Sequence, residues 1–508
     1  MNPSLSNQRS NVMNAASSKQ IMIIGSGFGG SILAAILAKA GISVMLVDHQ
    51  SHPRFAIGES STPTATFILK SLVKHYQLTE LEALTSYGLW KQKLFQVGCG
   101  VKRGFSYFFH SPGSPVQTTD LHQKELLVAA SSSHSTADTQ WYRQDVDAYL
   151  LDYAKRCGAT CILNSKVVEA KFDEQHFSWT VQLDTNSQNQ QFDWIIDASG
   201  SSQVMCELTD VTPNSKFELE TNTAAIYGHF EKVRRYDTLL EEAGMDVSDF
   251  PFSSDDAAQH HMMQHQWLWS LRFDNGITSL GLVIDLNHYK FDYKLWESML
   301  NTYPAISQML FGAIPHKATP ILRYSDRLQR LAPFGYGPGW VALPHTIGFV
   351  DPLHSTGIAH TLSGVDRLAR ILTKPRISRD EVRDYSLAIY RELRLIDRLV
   401  AGCYKLMPSK AHFEAYCMLY FAAAHNYETR CLNLGSSELP AGIFLSDDVD
   451  MTKAINFAFD LASETAACEG WENIKGFEQQ IRNLIAPFNQ IGLCDPDQYS
   501  MYSHTSVL

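Results

Sequence analysis

Ile21-Met22-Ile23-Ile24-Gly25-Ser26-Gly27-Phe28-Gly29-Gly30, continuing into an apolar helical stretch over residues 31–40, decides the fold. Apolar residues running into a glycine turn and then a helix give the strand, turn and helix order of a dinucleotide-binding βαβ unit. Gly25 permits the tight turn, Gly27 lets the backbone approach a pyrophosphate, and Gly30 lets the helix pack on the strand. Phe28 stands within the turn, and the free N–H groups of the first helical turn face the anion. A second strand over 43–47 ends at Asp48, 18 residues past Gly30, where a carboxylate takes a ribose hydroxyl pair. The expectation is an α/β protein with a Rossmann-type nucleotide-binding domain.

Composition bounds the rest. The 508 residues, 45% hydrophobic and 19% charged, hold enough apolar material for more than one core. No run of apolar residues is long enough to span a bilayer. Residues 1–18 are polar, rich in Asn and Ser, and lack the apolar centre of a signal peptide, so they read as a frayed extension of a cytoplasmic protein. A net charge of −11 argues against nucleic acid as a partner. The nine cysteines are scattered; the closest pair, Cys157 and Cys161, has no neighbouring His cluster, so reduced thiols and no metal are expected.

Pro53-Arg54-Phe55-Ala56-Ile57-Gly58-Glu59-Ser60-Ser61-Thr62-Pro63 resembles the R-x-x-x-G-E-S loop that follows the second strand in FAD-dependent halogenases and their flavin monooxygenase relatives. The same pattern continues at Trp141-Tyr142-Arg143-Gln144-Asp145-Val146-Asp147 and at Asp193-Trp194-Ile195-Ile196-Asp197-Ala198-Ser199-Gly200. The resemblance implies FAD as cofactor, contacted by Gly25, Gly27, Phe28, Gly30, Asp48, Glu59, Ser60 and Arg143.

Phe349-Val350-Asp351-Pro352-Leu353-His354-Ser355-Thr356-Gly357 fits the F-x-x-P-x-x-S-x-G pattern of the same halogenases. A proline-limited turn entering a helix points backbone amides at an anion, and small residues leave room beside a flavin ring. By resemblance, Thr356 and Gly357 would bind the halide, with Ser355 beside them; read from the residues alone, the amides could equally hold flavin atoms. Pro344-His345 stands where many flavoproteins of this class carry Gly-Asp, which makes Asp351 the expected ribityl contact.

Gly100-Val101-Lys102-Arg103-Gly104-Phe105 resembles the K-x-G segment carrying the essential lysine of phenol- and pyrrole-type halogenases. A lysine in a strand between glycines and aromatics is not where a solvating charge is usually placed. The resemblance implies that the Lys102 amine captures hypohalous acid, as a haloamine or as a hydrogen-bonded acid, and delivers it to an electron-rich carbon. Trp267-Leu268-Trp269-Ser270-Leu271-Arg272 aligns with the W-x-W-x-I-P motif, keeping Trp267 and Trp269 but placing Leu271 and Arg272 where Ile and Pro stand. That departure opens a non-halogenating alternative.

The FAD-binding domain is expected from pieces 19–90, 141–200 and 330–372, interleaved with a substrate-binding antiparallel sheet over 91–140 and 201–329, and followed by a helical region over 373–508. Residues 111–139, rich in Ser, Thr and His, read as a long loop or lid. The expected function is a phenol-type, FAD-dependent halogenase of secondary metabolism. It uses FAD reduced by a separate flavin reductase, oxygen, and chloride or bromide, on a small phenolic or indolic aromatic that is free or carrier-tethered. The alternatives are a flavin monooxygenase, dehydrogenase or reductase on the same fold, and a catalytically inactive FAD-binding scaffold.

Overall fold

A computed structural model describes residues 19–209, 219–435, 439–468 and 471–506. The extension expected over residues 1–18 lies outside the described residues. Strand Gln20–Ile24 pairs in parallel with Ser43–Val47 on one side and Trp194–Asp197 on the other. The six-stranded sheet continues through Thr160–Ile162 at one edge and Trp340–Ala342 and Tyr336–Gly337 at the other. Its central strands are buried on both faces, which is why they read as unbroken apolar runs. Register sets Ile24 beside Val47 and Asp197, so the glycine turn, Asp48 and the 197–200 turn emerge together at the carboxyl end of the sheet. Ligands bind at that end in open α/β sheets.

A nine-stranded sheet forms the second layer, running from Ile314–Pro315 through Thr223–Glu231, Ile277–Asp285, Gln266–Arg272, Ala258–Met263, Gly104–Phe109 and Glu125–Ala129 to Met501–Tyr502. Arg323–Ser325 also pairs with Thr223–Glu231. Most joints are antiparallel, but Ala258–Met263 meets Gly104–Phe109 in parallel, as Met501–Tyr502 meets Glu125–Ala129. Residues 111–139, expected as a loop, contain the strand Glu125–Ala129 and the start of Asp138–Trp141. All five residues of Glu125–Ala129 are buried, so the alternation that marks a half-exposed strand is missing.

Helices dominate from residue 379 onward, led by Arg379–Leu406 and Lys410–Leu434. The aromatic residues Phe413, Tyr416 and Tyr420 on the second of these are buried. The chain then returns as Met501–Tyr502 along the edge of the large sheet. No described helix is long and apolar enough to cross a membrane.

Candidate active site

The glycine turn shows why each glycine is where it is. A Cβ on Gly30 would lie 2.1 Å from the Gly25 carbonyl oxygen, and one on Gly25 2.4 Å from that of Ala198. These two glycines are therefore demanded by the protein's own packing. Gly27 differs: its nearest neighbour would be Arg143 Nη2 at 3.9 Å, so the space before it is kept for something else. Asp48 is buried and accepts from Ser26 N at 2.7 Å and from both Arg54 nitrogens at 2.6 and 2.8 Å. Burial alone would raise its carboxyl; the Arg54 guanidinium and the Ser26 and Gln50 amides outweigh that and hold it well below the usual range.

Arg143 props this turn from beneath. Its guanidinium forks onto both oxygens of Asp147 at 2.8 Å, donates to the carbonyls of Ile57 and Gly58, and lies 4.7 Å over the Phe28 ring. Glu59 pairs with the buried His229 at 2.8 Å. Ser60 is the neighbour whose buried hydroxyl has no partner. An open space at Gly27, an ionised Asp48 and an unpartnered Ser60 hydroxyl on the adjacent loop fit the pyrophosphate, ribose and flavin portions of FAD.

The turn at 351–357 closes over a second cavity. Ser355 adopts φ of 52°, a left-handed conformation that costs energy in a non-glycine residue, and its N–H donates to the Pro352 carbonyl. This aims the start of helix Gly357–Leu372 into a cavity lined by Gly348, Phe349, Thr356, Gly357, Thr361 and Leu393. A Cβ on Gly357 would touch nothing within 4 Å. The first turn of this sixteen-residue helix carries the kind of free amides to which anions bind.

Asp351 lines the same cavity, and its carboxylate is held by three donors. It accepts from Thr223 Oγ1 at 2.8 Å, Tyr404 OH at 3.0 Å and Leu353 N at 3.0 Å, and burial pushes its carboxyl up to about 7 against those hydrogen bonds. Trp267 donates its Nε1–H to the same Tyr404 hydroxyl at 2.7 Å. Trp269 bonds Ser279 and packs flat against the bare backbone of Gly281. Arg272, in place of proline, is anchored to Asp255 Oδ1 at 2.7 Å and to the carbonyls of Val233 and Arg234. Its guanidinium is tied down rather than loose.

Lys102 is fully buried. Its Nζ donates to the Ser61 carbonyl at 2.5 Å and sits 4.1 Å from the Phe105 ring centroid. The flanking glycines make that burial possible: a Cβ on Gly100 would strike the Arg272 carbonyl, and one on Gly104 the Val128 carbonyl. Lys91 and Lys93 instead lie on the surface against Asp274 and Glu82. Burial pulls the Lys102 amine well below the ordinary lysine range, opposed by the carboxylate of Asp138, its cross-strand partner. Burial raises Asp138 in turn; Thr66 bonds one of its oxygens at 2.9 Å and the other has no partner.

Two residues here escape a reading of the sequence. Asp138 sits in a stretch that reads as loop, and only the pairing of Cys99–Lys102 with Asp138–Trp141 puts it opposite the lysine. His260 bridges the Ser106 carbonyl at 3.3 Å and the Leu353 carbonyl at 3.1 Å, joining the strand after Lys102 to the 351–357 turn. Beside the lysine lies a cavity walled by Pro63, Phe105, Ala130, Tyr420, Phe421 and Glu428. One loop thus serves both ends: residues 58–60 border the nucleotide turn, and Ser61 holds the amine.

This arrangement defines a class, a Rossmann-type flavoprotein with a large β-sheet and a helical tail. Residues 23–74 match the NAD(P)-binding Rossmann-like domain, and residues 259–416 match tryptophan halogenase. Curated relatives that the chain resembles are flavin-dependent halogenases. Monodechloroaminopyrrolnitrin halogenase PrnC of Pseudomonas fluorescens is 29% identical over 375 residues, covering 70% of this chain and 61% of that protein. Tetracycline 7-halogenase of Kitasatospora aureofaciens is 26% identical over 364 residues, covering 69% and 62%. The chain thus spans under two thirds of the length of these relatives. In fold it is similar to halogenase PltM, solved with phloroglucinol and FAD: TM-score 0.85, 21% identity, 95% of this chain and 99% of that one.

Proposed function

We propose that this protein is a flavin-dependent halogenase acting on an electron-rich aromatic small molecule, phenolic in preference to indolic, in secondary metabolism. The observation that carries the reading is the fully buried Lys102 amine, held between Ser61 and Phe105 and depressed by burial. A buried amine that is readily neutral is a nucleophile rather than a solvated charge. When bound, reduced FAD would supply two electrons to oxygen, the oxidant, so that with halide and a proton the products are oxidised FAD, water and hypohalous acid.

The chain's own residues do the rest. Gly25, Gly27, Gly30, Phe28, Asp48, Glu59, Ser60 and Arg143 hold and frame the cofactor. The amides at Thr356 and Gly357 hold the halide, with Ser355 shaping the turn. Lys102 receives the electrophilic halogen and presents it to an aromatic lying against Phe105, Tyr420 and Phe421, whose ring faces suit a flat substrate. Trp267 and Trp269 wall the region between, and the anchored Arg272 leaves them packed as strand residues. The halogenase reading therefore stands over the monooxygenase one. Reduction in trans by a separate flavin reductase belongs to the same proposal, as does a cytoplasmic setting.

The test is an assay with a flavin reductase, NADH, FAD, oxygen and either bromide or chloride on phenolic and indolic panels, read by mass spectrometry. Halide-dependent mass shifts on phenols are expected. Flavin turnover with hydroxylated products alone would replace this reading with the monooxygenase one.

A further inference from the structure

His354, Cys403 and Cys417 are distant in sequence and come from three segments: the 351–357 turn, helix Arg379–Leu406 and helix Lys410–Leu434. One ligand atom from each, an imidazole nitrogen and two sulfurs, lies within 4.8 Å of the others. Cys403 Sγ is 3.7 Å from His354 Nε2. Two ligands of a tetrahedral zinc, with bonds of about 2.3 Å to sulfur and about 2.0 Å to nitrogen, stand roughly 3.5 Å apart. The Cys403–His354 spacing is thus close to that of two ligands on one ion.

The surroundings point the same way. All three side chains are buried, and the His354 ring lies flat on Tyr420, 4.4 Å between centroids, which fixes its orientation. A dication with two thiolates is neutral overall, the charge state a site this dry tolerates.

We propose that His354, Cys403 and Cys417 form a buried site for one divalent thiophilic cation of the zinc class. On binding, each thiol loses its proton, two metal–sulfur bonds and one metal–nitrogen bond form, and two protons pass to solvent. The ion would tie both long helices to the turn that carries Ser355, Thr356 and Gly357. The role is structural, and the inference is independent of the halogenase reading. It also answers the expectation of no metal drawn from cysteine spacing, because these ligands meet only in three dimensions.

The full chain is expressed in zinc-supplemented and, in parallel, cobalt-supplemented medium, purified in chelator, and its metal content measured. Wild type should retain about one ion per chain, and the cobalt form should show thiolate charge-transfer and tetrahedral ligand-field bands. Cys417→Ser should lower retained metal at least about tenfold, whereas Cys99→Ser and Cys431→Ser, buried cysteines outside the cluster, should leave it unchanged. X-ray absorption of the wild-type zinc form should count two sulfurs, which covers the case in which Cys417→Ser fails to fold. Folded, flavin-binding wild type without metal, or a metal with no sulfur ligands, would overturn the proposal.

Discussion

At the glycine turn, the atoms that would meet a nucleotide come from a stretch of about ten residues and one acid, set by adjacency along the chain. Around Lys102, by contrast, Ser61, Phe105 and Asp138 are brought in by a loop and two separate strands, with Thr66 on a helix bonding Asp138 and Tyr420 of the tail packing on Phe105. The first region is a backbone device, indifferent to most side chains but intolerant of Cβ atoms. The second is a side-chain device, in which an amine's hold on its proton is weakened by how completely other elements exclude water from it. One kind of site is broken by adding atoms, the other by removing them.

The sharpest way to break the comparison is at the turn. Gly27→Val should abolish flavin retention while the melting temperature stays near wild type, because its side chain enters space the protein leaves open. Gly30→Ala should do the opposite, costing about 1–3 kcal/mol of stability through its clash with the Gly25 carbonyl. Flavin absorbance after gel filtration, with thermal melts, separates the two. Normal flavin retention in Gly27→Val would remove the nucleotide site from this turn.

Next in size is the amine itself. Lys102→Ala should lose halogenated product by about a hundredfold while consuming reduced flavin and oxygen at a near-normal rate, the scale of deleting a positioned catalytic group. Lys102→Arg should not restore it, since a guanidinium stays charged and does not act as an amine. Lys91→Ala and Lys93→Ala, whose partners are surface acids, should match wild type. Full halogenation by Lys102→Ala, followed by mass spectrometry, would show that the buried amine is only packing.

A smaller effect sits between the two regions. Gly357→Ala places a methyl where nothing lies within 4 Å, at the first residue of a helix, so stability should hold or rise by about 0.5–1 kcal/mol. The same methyl narrows the anion cavity, and the KM for halide should rise about tenfold with little change in flavin affinity. Halide titrations of product formation check this, and an unchanged KM would place the halide elsewhere.

What could be read from the chain follows the same division. The βαβ unit, the 349–357 turn and the glycine-flanked lysine are local patterns whose spacing is itself the geometry. The strand Glu125–Ala129 was hidden because burial on both faces erases its alternation, and Asp138 because nothing near it in sequence names Lys102 as its partner. Asp351 illustrates a subtler gap: its place in the turn is legible, but its acceptance of Thr223 and Tyr404 depends on elements that lie far away along the chain. Side chains fixed by tertiary contact become visible only once the strands are paired.

Asp138 gives the smallest and most discriminating prediction. Burial pulls the Lys102 amine down, and the Asp138 carboxylate raises it part of the way back. Asp138→Asn keeps the shape and an oxygen for Thr66 to bond, but removes the charge, so the amine should release its proton at a lower pH than in wild type. If Lys102 works as a neutral amine, forming a haloamine, halogenation rises as pH climbs through its titration, and the variant's profile moves to the acid side by about one unit or less. If it works as a cation that hydrogen-bonds the acid, activity falls through the same titration, and the variant loses activity earlier on the way up. Single-turnover halogenation against pH, with flavin oxidation followed separately, distinguishes the two by the sign of the limb. A profile identical to wild type would mean that the carboxylate does not act on the lysine, leaving burial alone to account for the depressed amine.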